Sequence, residues 1–507
     1  MLLLELVEVS GSVAATRSRL AKRDLIAGLL RLATGPEIEL ATAYLSGTLP
    51  QRRTGVGWRS VSTLPPPAID ATLHLDEVND AIESISVLAG PGSAGARAEA
   101  LASLFGALTA PEQEFLRALL TGGVRQGALD SVMLDAIAVA AGVPPSDVRR
   151  AAMFSALSGP IAQAALTGGS EALADFSLVV GRPVRPMLAS TAPDVAAGVT
   201  KLVEVDTEFA VDTKLDGIRI QVHKHGDEVL VFTRSLDEIS ARLPDIVDLT
   251  RALPARDLIL DGEALTLDAA GRPRPFQETA SRTSTREATD RGVHPFYFDL
   301  LLHDDDQLIE RPARERLDRL DSVVPANQRV TRLVTSDPAR AVAWFEAAIA
   351  DGQEGVILKQ LDSAYEAGRR GAAWVKVKPR HTLDLVVLAV EWGSGRRKGW
   401  LSNIHLGARD PESGEFVMLG KTFKGMTDEM LAWQTERFLE LETHREGHVV
   451  FVRPEQVVEI AFDGIQRSTR YAGGMALRFA RVLGYRDDKP ASETDTVQTV
   501  RALAGLG

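Results

Sequence analysis

The chain has 507 residues, 45% hydrophobic and 25% charged, with a formal net charge of −12 and no cysteine. That length suggests about three domains of ordinary globular composition. The absence of cysteine excludes disulfides, thiol nucleophiles and cysteine-ligated zinc or iron–sulfur sites, and the acidic total excludes a uniformly basic coat while permitting a local basic track for nucleic acid.

No run of about 18 apolar residues marks a membrane-spanning helix. Met1–Val9 carries Glu5 and Glu8 and no basic region, so it does not read as a signal peptide, and a cytoplasmic location is expected. Arginine outnumbers lysine, and only Lys22 precedes Lys201. Lysine can lose its proton and attack an electrophile, whereas arginine stays charged, so each lysine invites a chemical reading.

Up to about Gly181 the chain reads as helical. Thr109-Ala110-Pro111-Glu112 has capping-box spacing ahead of Phe115, Leu116, Leu119 and Leu120. Amphipathic segments follow over Asp130–Ala141 and from Asp147 through Met153 to Leu157, with loops at Leu64–Pro67 and Gly90–Gly95. Basic residues gather at Arg52, Arg53 and Arg59 beside Trp58, at Arg125 and at Arg149-Arg150, where they could contact phosphates or simply be solvated helix ends. Gly181-Arg182-Pro183-Val184-Arg185-Pro186-Met187 reads as a linker.

Beyond it the pattern turns to strands with interspersed helices, an α+β domain. Phe209–Val211 leads into Lys214-Leu215-Asp216-Gly217-Ile218-Arg219, after which Ile218, Ile220 and Val222 alternate as in a half-buried strand. His225-Gly226-Asp227 reads as a hairpin turn. Leu258–Leu260 leads into Asp261-Gly262-Glu263, Pro295–Leu302 contains Phe298-Asp299, a helix lies within Leu333–Ala350, and Glu354–Lys359 is extended. Trp374, Lys376 and Lys378 share one face of an alternating strand. After Pro379 come short strands at Leu385–Val390, Phe416–Leu419, Val449–Val452 and Val457–Ile460, with a helix near Thr427–Leu441, which suggests a small barrel. From Asp495 a short surface helix is expected.

A reactive lysine at 214 would need help, because an ε-amine is protonated at neutral pH unless neighbouring cations or desolvation lower its pKa. Lys376 and Lys378 could do this and could hold a polyanion. A nucleoside triphosphate would call for Mg²⁺ on carboxylates, for which Glu263 and Glu354 are the candidates. Phe298 could stack on a purine, and Arg219 and Arg234 could grip ribose or phosphate oxygens.

In this order, the motifs resemble those of the covalent nucleotidyltransferases, specifically the three-domain ATP-dependent DNA ligases of archaeal and eukaryotic type, as a bacterial member. Lys214–Arg219 resembles the adenylation motif, and Arg234, Asp261–Glu263, Phe298–Leu300, Glu354–Lys359 and Trp374–Lys378 resemble the motifs that follow it. Arg478-Phe479-Ala480-Arg481 with Arg486–Lys489 resembles the terminal motif. Gly393–Gly399 and Lys421–Gly425 are similar to loops of the family's OB-fold domain, and Arg125-Gln126-Gly127 to the signature of its helical DNA-binding domain. Two departures stand out: Ser235 where asparagine is frequent, and Ala480 where proline is common.

The resemblance implies an all-α DNA-binding domain over 1–181, an α+β nucleotidyltransferase (ATP-grasp-like adenylation) domain over 182–380 and a β-barrel OB-fold domain over 381–507, with a hinge near Pro379–Leu383. It implies that Lys214 attacks the α-phosphorus of ATP and releases pyrophosphate. AMP then passes to the 5′-phosphate at a nick, and the 3′-hydroxyl displaces it. Asp212 would contact adenine through backbone or side chain. Arg219, Arg234 and Glu263 would hold ribose and phosphate, and Arg370 the nucleotide. Phe298 would stack on the base. Glu354, with Glu263, would hold the metal. Lys376 and Lys378 would bind the α-phosphate, and Arg478, Arg481 and Lys489 would orient pyrophosphate. The expected substrates are ATP with Mg²⁺ and nicked duplex DNA, gripped mainly through phosphates by a monomer associated with the nucleoid. An RNA ligase or a capping enzyme is the nearest alternative, disfavoured by the long helical N-terminal part. An NAD-dependent ligase is disfavoured by the lack of cysteine, and an inactive DNA-binding scaffold by the intact motifs.

Overall fold

Helices from Leu3–Ala15 to Ser158–Ala174 build the first part of the chain around their own core, in which Leu6, Ile26, Tyr44, Leu116 and Ile137 are buried. The computed structural model describes residues 1–504 other than 52–53, 125, 127–129, 269–272, 275–277, 280–291 and 380. The capping box forms as expected: the Glu112 carboxylate accepts from the Thr109 N–H at 2.8 Å and its hydroxyl at 2.6 Å, opening the helix Ala110–Leu120. The segment expected to run to Leu157 instead ends at Phe154, and a new helix starts at Ser158. Of the Arg125-Gln126-Gly127 signature, Arg125 and Gly127 lie outside the described residues, as do Arg52 and Arg53. Gln126 is buried; it accepts from Ser10 Oγ at 2.6 Å, and its backbone carbonyl accepts from Lys22, the sole lysine before Lys201.

The chain divides into two units: Met1–Ser190, Leu202–Ser336 and Lys359–Val375 form one, and Thr191–Lys201, Asp337–Leu358 and Lys376–Gly507 the other. In the first, the stretch read as a linker is bolted down rather than loose. The Gly181 N–H donates to His223 Nδ1 at 2.9 Å, and the Val184 N–H to Gln221 Oε1 at 2.9 Å. Burial lowers the His223 pKa to about 3, so it stays a neutral partner.

The strands of this unit follow the alternation of the sequence. Glu228–Thr233, Ile218–His225, Asp257–Thr266, Val293–His303 and Asp306–Gln307 lie side by side in that order, each pair antiparallel. Their apolar side chains, among them Ile220, Val222, Leu260 and Tyr297, fill a core with Ile246 and Leu320. Phe209–Lys214 pairs antiparallel with Arg332–Thr335, which sets Asp212 directly opposite Arg332.

In the second unit, His381–Trp392 is the organising strand. It pairs with Leu401–Arg409, and with Val457–Phe462 and Val449–Val452 at successive places along its length. Register shifts at Val387/Ala389 and Glu391/Trp392 bend it, as bulges do. The sheet is seven-stranded, and the part of the chain expected to form a small barrel is a β-rich domain in which no closed ring of strands occurs among the described residues. The expected helix is Asp428–Glu440. The tail helix Val497–Leu503 is less superficial than expected, because Val497 and Val500 are buried in this unit's core. No described helix is long and apolar enough to cross a membrane.

Candidate active site

Lys214 is the last residue of its strand, and a three-residue turn carries the chain into Ile218–His225. The turn is tight because Gly217 lies against the neighbouring strand. A Cβ there would stand 2.4 Å from the Ala264 carbonyl oxygen and 2.8 Å from Glu263 Cγ, so no other residue fits. Lys214 is half-buried, with Nζ 3.4 Å from the Leu215 carbonyl oxygen. Glu263 faces Arg219 across the strand pair and is half-buried. Gly262 beside it is needed for a similar reason, since a Cβ would meet Tyr297 Cδ1 at 2.8 Å.

Two residues before the lysine, Asp212 is buried under a pair of cations. Arg332 reaches it with Nε at 2.5 Å and Nη2 at 3.2 Å, and Lys359 Nζ lies 2.7 Å away. Burial pushes its carboxyl up, but Arg332 and Lys359 outweigh that and hold it below the usual range. Of the two adenine contacts considered for Asp212, the side chain is thus already engaged.

Arg219 is also anchored by protein groups. Its guanidinium forks onto Asp261 (Nε–Oδ1 3.0 Å, Nη2–Oδ2 2.6 Å) and donates to the Met187 carbonyl at 2.6 Å. Tyr365 donates its hydroxyl to Asp261 at 2.6 Å. The same guanidinium lies 5.3 Å from the centroid of the Phe298 ring and 5.7 Å from that of Trp374. Phe298 is half-buried and meets Trp374 edge-on at 6.0 Å. Arg234 and Arg370 are exposed. The first unit thus gathers Asp212, Arg219, Glu263 and Phe298 around strands that adjoin Lys214.

The second unit holds the other named residues. Lys376 and Lys378 are half-buried. Lys378 forms an ion pair with Glu354 and lies 3.2 Å from Asp463 Oδ2. Burial works against its charge, but Glu354 and then Asp463 raise its pKa overall. The residue assigned to metal and the one assigned to phosphate are therefore each other's partner here. Arg478 lies 5.8 Å from the centroid of the exposed Phe479 ring, Arg481 is exposed, and Lys489 Nζ binds Asp384 at 2.8 Å. The two departures from the family pattern are locally accommodated. Ser235 donates to Asp237 at 2.6 Å, and the Ala480 carbonyl accepts from Thr422 Oγ1 at 2.5 Å.

Sequence reasoning did not name Arg332, and it gave no role to Lys359 or to Asp299, which pairs with buried Arg316 at 2.8 Å. The only available signal was a charged residue inside an apolar strand pattern, as at Lys359. It also missed a polar cluster in the second unit, where Glu391 accepts from Asn403 Nδ2 at 2.7 Å, lies 3.0 Å from His405 Nε2 and pairs with Lys421. Burial raises its pKa, but the bonds from Lys421, His405 and Asn403 prevail and carry it from 4.5 to about 2. A depressed carboxyl stabilises the fold above its unfolded pKa and loses that contribution as pH falls through the folded one. Stability should therefore fall between about pH 4.5 and 2, and Glu391→Gln should flatten that limb in thermal melts recorded against pH. An equally steep limb in the variant would show that other carboxyls carry it.

The chain matches two family models: "ATP dependent DNA ligase domain" over residues 186–378 and "ATP dependent DNA ligase C terminal region" over 397–489. It is 64% identical to a "Probable DNA ligase" of Beutenbergia cavernae, covering all of both chains. It is 59% identical to a protein of the same name from a Nocardioides species, covering all of this chain and 99% of that one. Among solved structures, "Pmar-Lig_PreS3" superposes with a TM-score of 0.66 at 18% identity, over 95% of this chain and 99% of that one, a likeness of fold.

Proposed function

Because this chain belongs to the ATP-dependent DNA ligases, we propose that Lys214 carries AMP from ATP to the 5′-phosphate of a nick in duplex DNA. The observation that carries this reading is the setting of Lys214. It ends a strand whose Asp212 is locked in place, in the same unit as a half-buried aromatic ring and beside a carboxylate-bearing strand.

The neutral Lys214 amine attacks the α-phosphorus, a P–N bond forms, and the α–β P–O bond breaks. Its electron pair leaves with pyrophosphate, and the amine proton goes to solvent. A 5′-phosphate oxygen then displaces the lysine, and the 3′-hydroxyl displaces AMP to close the strand. Each step relies on alignment and charge neutralisation. Phe298 stacks on adenine, with the Asp212 backbone beside it. Arg234, Arg370 and Glu263 hold ribose and phosphate, and Arg219 holds the wall of the pocket while presenting its face to the nucleotide. Lys376 and Lys378 bind the α-phosphate, while Arg478, Arg481 and Lys489 guide pyrophosphate out.

Glu354 and Glu263 offer the hard oxygen donors that Mg²⁺ prefers. No cluster of three or more potential ligands occurs among the described residues. That fits an ion held largely by nucleotide phosphates and water rather than by a protein cage. When bound, Mg²⁺ neutralises phosphate charge; the Lys378–Glu354 pair meanwhile keeps both charges compensated in its absence. We read the three segments 1–181, 182–380 and 381–507 as domains, the last as an OB-fold, and the protein as a monomer.

DNA contact through phosphates is supported by the cations of the helical part, where exposed Trp58 lies beneath Arg117 at 5.9 Å. Neutralising about 6–10 phosphates would cost roughly 10³–10⁵-fold in affinity between about 50 and 200 mM salt, without dependence on base sequence. Filter binding of nicked duplexes of unrelated sequence tests this; a sequence-dependent affinity or a flat salt response contradicts it. The reaction itself is tested by joining a labelled 5′-phosphate nick with ATP, GTP or NAD. Joining with ATP is expected, and joining of RNA alone or with NAD alone would favour the rival assignments.

A further inference from the structure

In the second unit, Gly464–Arg467 and Met475–Arg478 form an antiparallel hairpin of which only the last residue, Arg478, enters the steps above. At its loop end, beside the Arg467–Met475 pair, lies a hollow of about 490 Å³. Arg467, Ser468 and Thr469 line it where the chain leaves the first strand, and Gly473 and Gly474 where it returns. Arg501 reaches it from the last turn of the helix Val497–Leu503. Two guanidiniums from well-separated segments therefore meet at one hollow. Among the described residues no carboxylate lines it; Asp410, which feels the Arg501 charge, stands outside. Gathering like charges in this way is unfavourable until an anion arrives between them.

The loop is held in shape by its own bonds. The Ser468 N–H donates to the Gly474 carbonyl at 2.9 Å, and the Gly474 N–H to the Tyr471 carbonyl at 2.9 Å. The Arg470 N–H donates to Ser468 Oγ at 3.2 Å, which leaves the Ser468 hydroxyl its own proton to donate. Gly473 admits no side chain, since a Cβ would stand 2.8 Å from Val417 Cγ1, and Gly474 has a φ of +70°. Guanidinium forks and hydroxyl donors together are the chemistry that grips a phosphate. The other end of the hairpin is cationic and aromatic as well. Arg478 pairs with Gly464 three residues along the ladder, about 10 Å away at roughly 3.3 Å per residue. Beside it the Phe479 ring is 60% exposed, with Lys424 Nζ 5.4 Å from its centroid.

We propose that the hollow receives a backbone phosphate of the nicked duplex, whose strand then runs along the hairpin toward Arg478 and Phe479. A lone small anion would use only the hollow, whereas a strand of regularly spaced phosphates uses both cationic ends. The pyrophosphate that Arg478 guides has left before the nick is engaged, so its two uses do not compete. This inference rests on the proposed function above. Contact is to phosphate and not to base edges, so it adds affinity without sequence preference.

The test is binding of a nicked duplex over about 50–200 mM salt by full-length wild type, by Arg467→Gln with Arg501→Gln, and by Arg467→Lys with Arg501→Lys. For the glutamine pair, the slope of log affinity against log salt should become shallower by about 1.8, two contacts at about 0.9 each, with binding weakened about tenfold or more. Its protein–AMP formation from ATP should stay within about twofold of wild type, because the hollow takes no part in that step. The lysine pair should keep the wild-type slope, since an ammonium also neutralises a phosphate, whereas a merely structural need for guanidinium geometry would not be rescued. Should the glutamine pair fail to fold, Arg501→Gln alone, at an exposed position, must show a slope shallower by about 0.9. A slope within about 0.3 of wild type overturns the proposal. So does an unchanged slope with altered inhibition of protein–AMP formation by pyrophosphate, which would give the hollow to a free anion. Failure of the wild type to bind nicked DNA would instead overturn the functional reading.

Discussion

Lys214→Arg is expected to abolish the protein–AMP adduct, slowing its formation by on the order of 10⁴-fold or more. Arginine keeps the positive charge and comparable reach, so the half-buried turn at Leu215–Gly217 has no reason to rearrange. What it lacks is a neutral form: the guanidinium does not deprotonate in proteins, and without a lone pair on nitrogen no P–N bond can form. Folding stability should move by no more than about 0.5 kcal/mol, as for a partly exposed site away from buried networks. The informative contrast is a nick already carrying AMP on its 5′-phosphate. Its closure uses the 3′-hydroxyl and not the lysine, so it should persist in the variant. Retained labelling from ATP would move the nucleophile elsewhere, and loss of closure at the pre-adenylated nick would mean that the substitution had damaged the pocket.

The second large effect is on folding. Arg316 and Asp299 are each 0% exposed and joined by two bonds, Nε–Oδ1 at 2.8 Å and Nη2–Oδ2 at 3.1 Å. Arg316 also donates to the Arg311 and Ser363 carbonyls, at 2.6 and 3.0 Å. Arg316→Met would strip Asp299 of its directly bonded countercharge, leaving it the Leu300 N–H at 3.0 Å and the more distant charges of Lys359 and Arg332. Breaking a buried pair from one side costs about 3–5 kcal/mol, or roughly 6–20 °C in melting temperature for a cooperative domain of about 150–250 residues. The double variant Asp299→Leu with Arg316→Met should regain part of that loss, because no charge then remains buried alone. Circular-dichroism melts separate these cases; a drop of less than about 1 kcal/mol in the single variant would contradict the role given to the pair.

The legibility of the sequence divides along the same line. Lys214, Glu263, Phe298 and Lys376 could be named as candidates because each needs only residue type and the strand immediately around it, and the structure places each of them on or beside an extended segment. At Gly217, three residues after the lysine, the structure shows the close approach that only glycine allows, with the Ala264 carbonyl 2.4 Å from a virtual Cβ. The pairings that hold the pocket were not readable. Asp212 and Arg332 are 120 positions apart and meet only because their strands are in register, and Lys359 joins them from a third segment. Likewise the C-terminal strands were placed locally, but barrel closure depends on which strand lies beside which. His381–Trp392 shares its length among three partners, a choice no local alternation encodes. Lys378 shows the intermediate case: its strand face was legible, its pairing with Glu354 was not.

The central claim is that Lys214 is the covalent carrier of AMP on the way to a sealed nick. It is tested most directly by incubating the full-length protein with α-labelled ATP and Mg²⁺, mapping the labelled peptide, and then adding nicked duplex DNA. The expected result is label on Lys214 that leaves the protein when the nick is added, with joined strand and free AMP appearing in step. Label on another residue, or AMP on Lys214 that nicked DNA does not discharge, would contradict it.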